Sequence, residues 1–185
     1  MSKPYKTGMI CGRFQSIHNG HVALINQGLD LCDTLLVFIG SAQRQGTVRN
    51  PFTYELRRAS LDKIFKDKNN DRLIIKPLYD QASEDKISKG WGRYLYRQTE
   101  MILNQGPGVV IYGHDHLQDR DKWFTDEWSE VDELVIKRKF NISSTAMREA
   151  ILKDNFEEWS KYTPEEIYSM FDVYRPVLLR IYGGV

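Results

Sequence analysis

The sequence predicts an α/β fold: a doubly wound parallel sheet of about five strands, with helices on both faces and a helical C-terminal tail. Three observations predict it. Short apolar runs alternate with stretches of helical apolar spacing along residues 6–152, the rhythm of repeated βα units. Two strand-to-helix junctions are rich in Gly, His, Ser and Thr, which turn a chain and start helices. The links are short, which argues against a second domain.

The elements follow in order. Residues 7–11 form a buried strand with Met9, Ile10 and Cys11 apolar, and Gly12 ends it. Val22, Leu24, Ile25, Leu29 and Leu31 then fall on the spacing of a helix packed on a sheet, starting at Asn19 or Gly20. Residues 35–39 are the second strand. Residues 53–65 are a helix with Thr53 as N-cap, and residues 73–76 a short third strand. A polar insertion, residues 81–90, leads to a helix over 91–103, which the run Gly106, Pro107, Gly108 ends. Residues 109–112 and 131–137 are the fourth and fifth strands, and 146–152 a helix. Further on, Phe156, Trp159, Tyr162, Ile167, Met170, Phe171 and Tyr174 suggest helices, with Thr163, Pro164, Glu165 and Glu166 as a helix start. The arrangement is Rossmann-like, one domain over residues 1–185, with its motifs in 6–152 and a helical extension in 153–185.

Two of these junctions carry chemistry. The first is GRFQSIHNGH, residues 12–21, which must turn sharply at the carboxyl end of a strand, where open α/β sheets place their ligands. Gly20 at the helix entry lets a phosphate approach backbone N–H groups. His18 and His21, three apart, can face the same helix mouth and donate to phosphate oxygens, and Arg13 adds a planar cation. As ordinary turn residues the two histidines would leave Gly12, Arg13 and Gly20 unexplained. As zinc ligands they would lack a nearby carboxylate and a suitably placed Cys11. The second junction, ISSTAMR at residues 142–148, sets Ser143, Ser144 and Thr145 before a helix, with Arg148 about one turn on. Simple capping explains it alone. Paired with the first junction, phosphate binding is the better account.

With these residues in place, the chain resembles the HxGH nucleotidyltransferase superfamily, and within it the nicotinamide-mononucleotide adenylyltransferases. The family's G-R-F-Q-P-x-H-x-G-H and I-S-[SG]-T-x-x-R patterns are both present. So is a third segment, Gly40, Ser41, Ala42 and Gln43 followed by Thr47, Arg49, Asn50, Pro51, Phe52, Thr53 and Arg57, similar to that of the archaeal and Nudix-fused bacterial forms. That segment favours the nicotinamide branch over the pantetheine-phosphate and cytidylyl branches. Ser16 stands where the pattern has Pro, which loosens the turn, and Leu56 where it has Glu before Arg57. Gly113, His114 and Trp128 resemble a bacterial G-H-x-K-D … W region, but His116 and Leu117 replace its Lys and Asp. A Nudix-fused relative continues into a second domain, so that second activity is not expected here.

The resemblance implies adenylyl transfer from ATP to nicotinamide mononucleotide. Gly12, Arg13, Phe14, His18, Gly20, His21, Ser143, Ser144, Thr145 and Arg148 are then the ATP site, with His18, His21 and Arg148 catalytic. Arg49, Asn50, Asp80 and Trp91 are then the acceptor site. Trp91 is read either as the ring that stacks on the pyridinium, with Tyr79 and Trp123 as fallbacks, or as a core anchor of its helix. Mg²⁺ is expected to bind mainly through ATP phosphates and water, with no protein metal site. Transfer to another phosphorylated acceptor, and a non-catalytic nucleotide sensor on the same fold, are the alternatives.

Composition bounds the rest. A formal net charge of +1 over 185 residues gives no global field toward nucleic acid or membrane. No stretch is apolar enough to span a bilayer, and the first residues lack a signal-peptide core. The two cysteines, Cys11 and Cys32, are expected buried and reduced in a cytoplasmic protein. Relatives are commonly homo-oligomers, so residues 155–185 are free to pack on their own core or on a neighbour.

Overall fold

A computed structural model describes residues 2–66, 71–81, 90–113, 130–137 and 142–183. Most of the insertion over 81–90, and His114, His116, Leu117, Trp123 and Trp128, lie outside the described residues. The five strands are β1 (Tyr5–Gly12), β2 (Cys32–Ile39), β3 (Leu73–Pro77), β4 (Val109–Gly113) and β5 (Asp132–Ile136). The helices are α1 (Asn19–Leu31), α2 (Tyr54–Phe65), α3 (Trp91–Leu103), α4 (Ser144–Leu152), α5 (Phe156–Ser160) and α6 (Phe171–Tyr182), with a 3-10 helix at Glu165–Met170. All strand pairs are parallel, in the order β3-β2-β1-β4-β5.

Alternation along the strands builds two cores. Ile10, Leu35, Val37, Ile39 and Ile111 point to one face and meet Ile25 and Leu29 of α1, Leu61 and Ile64 of α2, and Met147 and Ile151 of α4. Met9, Leu36, Phe38 and Val110 point to the other and meet Leu95 of α3. The change of face between α2 and α3 follows from the order of the strands. The chain first walks outward from β1 to β3, then returns to β4 on the far side of β1, and right-handed crossovers put the returning helix on the opposite face.

That reversal opens a crevice. β1 stays in register with β2 up to Gly12 against Ile39, but pairs with β4 only at Gly8 with Val109 and Met9 with Val110. The carboxyl halves of β1 and β4 therefore part at the switch point of the sheet, where a ligand fits.

Several details differ from the sequence-based expectations. β1 and β2 start earlier, at Tyr5 and Cys32, because Lys6, Asp33 and Thr34 separate these residues from the apolar runs. α3 ends at Leu103 as expected, but the stop is the C-cap Asn104, with a left-handed φ of 54°, rather than the Gly106 turn. Cys32 is buried but Cys11 is only half-buried, at the carboxyl end of β1. Ser16 sits in its turn with a backbone that the pattern's Pro could not take. Its φ of 75° is one that Pro never adopts, and the residue is buried. The C-terminal segment packs on its own core, where Trp159, Ile167, Met170, Phe171, Tyr174 and Leu178 join the α1, α2 and α4 side. Among the described residues no helix is long and apolar enough to cross a membrane.

Candidate active site

The first junction is built as a cluster of three rings beside two glycines. The His18 and His21 rings stack with centroids 3.8 Å apart, and the Phe14 ring meets His21 at 5.1 Å, tilted by 58°. A Cβ on Gly12 would come within 3.1 Å of the Phe14 ring, and one on Gly20 within 2.9 Å of His18 Nδ1. The two glycines are needed here because a ring occupies the space of each missing side chain. The His18 backbone N–H donates to His21 Nδ1 at 3.4 Å. An Nδ1 that accepts leaves the His21 proton on Nε2. Gly20→Ala is expected to push the His18 ring off this stack. The loss in kcat/KM should be about 10- to 100-fold, with a melting point close to the parent's, and steady-state kinetics beside a thermal melt checks it.

The second junction meets the first directly. Ser144 Oγ donates to the Ser16 carbonyl at 3.2 Å, and Arg148 donates to the Gln15 carbonyl at 3.2 Å. Its other amino group reaches Thr145 Oγ1 at 3.4 Å, so the guanidinium looks back over its own helix start. Ser143 is the N-cap of α4, accepting from the Ala146 N–H at 3.2 Å. The three hydroxyls thus have three tasks: capping, joining the two loops and steadying Arg148.

The third segment closes the site from the β2 side. Gln15 is buried, donating to Asn50 Oδ1 at 3.3 Å and accepting from the Phe52 N–H at 3.0 Å. Asn50 is therefore a buried strut between loops, while Arg49 and Arg13 are exposed at the rim. Thr53 caps α2 as expected, accepting from the Leu56 N–H at 3.2 Å. Arg57 is fully buried and, among the described residues, donates to backbone carbonyls, those of Arg13, Gly40, Ser41 and Thr53. Burial holds its guanidinium down to about 10, with Glu55 opposing and Arg13 adding to the drop, so it stays charged at neutral pH.

On the α3 side, Asp80 accepts from Ser41 Oγ at 3.2 Å and lies 3.8 Å from the Arg44 guanidinium. Its backbone exchanges two bonds with the Gln43 amide, which ties the end of β3 to the loop after β2. Trp91 is half-buried at the first turn of α3, tilted against Tyr94 at 5.4 Å, and Tyr79 is 56% exposed. Burial pushes the Cys11 thiol up to about 12, and Asp80 adds to the rise, so it is a neutral thiol. The described residues contain no group of three or more His, Cys, Asp or Glu able to hold a metal ion.

Sequence reasoning missed the struts. Gln15 was only a letter of the first motif and Arg57 only one of the third. For Arg57 a signal existed, since it shares a helix face with Leu61 and Ile64, where a charge is out of place. For Gln15 none did.

A parallel sheet that parts at its switch point beneath two facing helix starts is the frame of a nucleotide-handling fold. Residues 9–171 match the family described as cytidylyltransferase-like, and the chain belongs to that family. The nicotinamide-nucleotide adenylyltransferase of Saccharolobus solfataricus is 30% identical to it over 167 residues, covering 87% of this chain and 87% of the relative. The enzyme of that name from Methanococcus aeolicus is 27% identical over 164 residues, covering 89% and 87%. Among solved structures, a bifunctional NMN adenylyltransferase/ADP ribose pyrophosphatase from Francisella tularensis shares the fold, with a TM-score of 0.77 and 18% identity over 97% of this chain. This chain spans 53% of that bifunctional protein.

Proposed function

We propose that the protein makes NAD and pyrophosphate from ATP and nicotinamide mononucleotide. The observation that carries this reading is the meeting of the two helix starts, Ser144 on Ser16 and Arg148 on Gln15, beside the crevice between β1 and β4. The adenylyltransferase relatives supply the substrate class. The acceptor's phosphate oxygen attacks the α-phosphorus of ATP in line, the bond to the bridging oxygen breaks, and pyrophosphate leaves with its electron pair. No protein nucleophile and no covalent intermediate are needed, and the work is positioning and charge stabilisation.

The residues take roles that suit this chemistry. Gly12, Gly20 and the Phe14 ring shape the loop against which the triphosphate lies. His18 and His21 donate to phosphate oxygens, and Arg13 supports them from the rim. Arg148, steadied by Thr145, offsets the charge developing on the pyrophosphate, while Ser143 and Ser144 hold its helix in place. The donors at this mouth are cationic or neutral, a set that fits phosphates already carrying Mg²⁺. The ion would bind through phosphate oxygens and water, and when bound it neutralises the triphosphate.

The acceptor lies toward α3. Trp91 stacks on the pyridinium, Asp80 sits near its positive charge or carboxamide, and Arg49 and Asn50 serve the segment that closes over the acceptor phosphate. Trp91→Ala is expected to raise the KM for nicotinamide mononucleotide about tenfold with the KM for ATP nearly unchanged. Equal effects on both substrates would return Trp91 to the role of a helix anchor.

The reading is tested by product formation from ATP and Mg²⁺ with nicotinamide mononucleotide, nicotinate mononucleotide and phosphopantetheine in parallel. NAD as the fastest product supports it, and turnover with only another acceptor replaces the acceptor. ATP binding without turnover leaves a sensor.

A further inference from the structure

A fully buried arginine is ordinarily paired with a carboxylate. Among the described residues Arg57 hydrogen-bonds to none. One amino group donates to both the Arg13 carbonyl and the Gly40 carbonyl at 2.7 Å. The other donates to the Ser41 carbonyl at 3.2 Å, and Nε to the Thr53 carbonyl at 3.1 Å. Three of these carbonyls belong to the loops that leave the carboxyl ends of β1 and β2. The residues that follow the two 2.7 Å partners are Phe14, with a φ of 52°, and Ser41, with a φ of 50°. Both are left-handed, which a side chain disfavours. An unfavourable backbone persists where its surroundings over-determine it, and here the same guanidinium grips the peptide just before each one.

A trans peptide points its N–H opposite to its carbonyl, and no cis peptide is present among the described residues. With the Arg13 and Gly40 carbonyls turned inward onto Arg57, the N–H groups of Phe14 and Ser41 point away from it. A backbone N–H turned outward at a left-handed residue is a donor for an anion, and here each of two loops supplies one. The planar guanidinium suits the task because its donors sit in a fixed fork, whereas an ammonium cannot reach carbonyls on three separate segments at once.

We propose that Arg57 is a positioning residue of this site: by clamping the Arg13, Gly40 and Ser41 carbonyls it locks Phe14 and Ser41 left-handed and presents their backbone N–H groups to the phosphates of the bound nucleotide. The inference rests on the reading of the site as one for ATP, but not on which acceptor it uses.

The test is ATP binding by calorimetry, without acceptor. Arg57→Lys should weaken ATP about tenfold. Ser41→Gly alone loses the hydroxyl bond to Asp80 and should weaken ATP or leave it unchanged. Combined with Arg57→Lys, the same change should recover about threefold, because glycine adopts positive φ without a clamp. A merely structural Arg57 gives no such reversal of sign. ATP binding unaffected by Arg57→Lys, or a Ser41→Gly effect that is the same with and without Arg57→Lys, overturns the proposal. In the unaltered protein, ATP or pyrophosphate should shift the amide resonances of Phe14 and Ser41 and slow their exchange. Unmoved resonances with ligand bound overturn it even where the Arg57→Lys variant fails to fold. Binding of ATP without NAD formation would sink the acceptor reading and leave this one standing. Failure of the unaltered protein to bind ATP or pyrophosphate would sink both.

Discussion

His18→Ala should lower kcat about 10²- to 10³-fold, with kcat/KM for ATP falling to a similar extent, and leave the melting point within a few degrees of the parent's. The size follows from what the ring is asked to do. A preorganised donor aimed at a phosphate oxygen acts when charge develops on the leaving group, so its loss appears in turnover more than in affinity. The mild effect on stability follows from its packing. The ring is buried, but it lies against His21 and Gly20 at the entry of α1, and both neighbours can shift to fill the space it leaves. His21→Ala should cost a comparable factor, and the double variant much less than the product of the two, because each ring steadies the other. Steady-state kinetics of the three variants decides this. Turnover within about threefold of the parent for His18→Ala would remove that residue from the mechanism.

The sequence made the frame legible because the frame is local. The continuous apolar run Leu35, Leu36, Val37, Phe38 and Ile39 marks a strand buried on both faces, and the helix over residues 91–103 has the bounds found in the structure. The two helix starts were legible for the same reason, since Gly, Ser and Thr mark turns and caps over a few residues. What local patterns do not encode is which distant carbonyl a side chain will find. Arg57 to Arg13, Gln15 to Phe52 and Asn19 to Tyr162 each join residues that only the closed sheet brings together. The left-handed backbone at Phe14, Ser16 and Ser41 was hidden too. Phe and Ser have no local preference for it, so tertiary contacts impose it and no propensity foretells it.

Trp159→Ala is the change expected to damage stability most, and its effect should reach the site. Trp159 is completely buried, with the Phe171 ring at 5.3 Å and Phe156 at 5.8 Å. Truncating such a side chain costs about 3–5 kcal/mol. At this chain length that lowers the melting point by about 10 °C. The route to the site is short. The Trp159 carbonyl accepts from Thr163 Oγ1 at 2.8 Å and from the Tyr162 N–H at 3.3 Å, which fixes the turn after α5. The Tyr162 carbonyl in turn accepts from the Asn19 N–H at 2.7 Å, satisfying the first backbone donor of the helix that carries His18 and His21. Loosening the turn should therefore fray the entry of α1, and the KM for ATP should rise before the protein melts. Trp159→Phe separates the two effects. Among the described residues the indole N–H has no hydrogen-bond partner, so a phenyl ring loses some volume but no bond, and the variant should sit far closer to the parent than Ala. A thermal melt and an ATP titration of both variants check this. A Trp159→Ala protein that melts like the parent, or that binds ATP unchanged at a temperature where it is partly destabilised, would uncouple the C-terminal segment from the site.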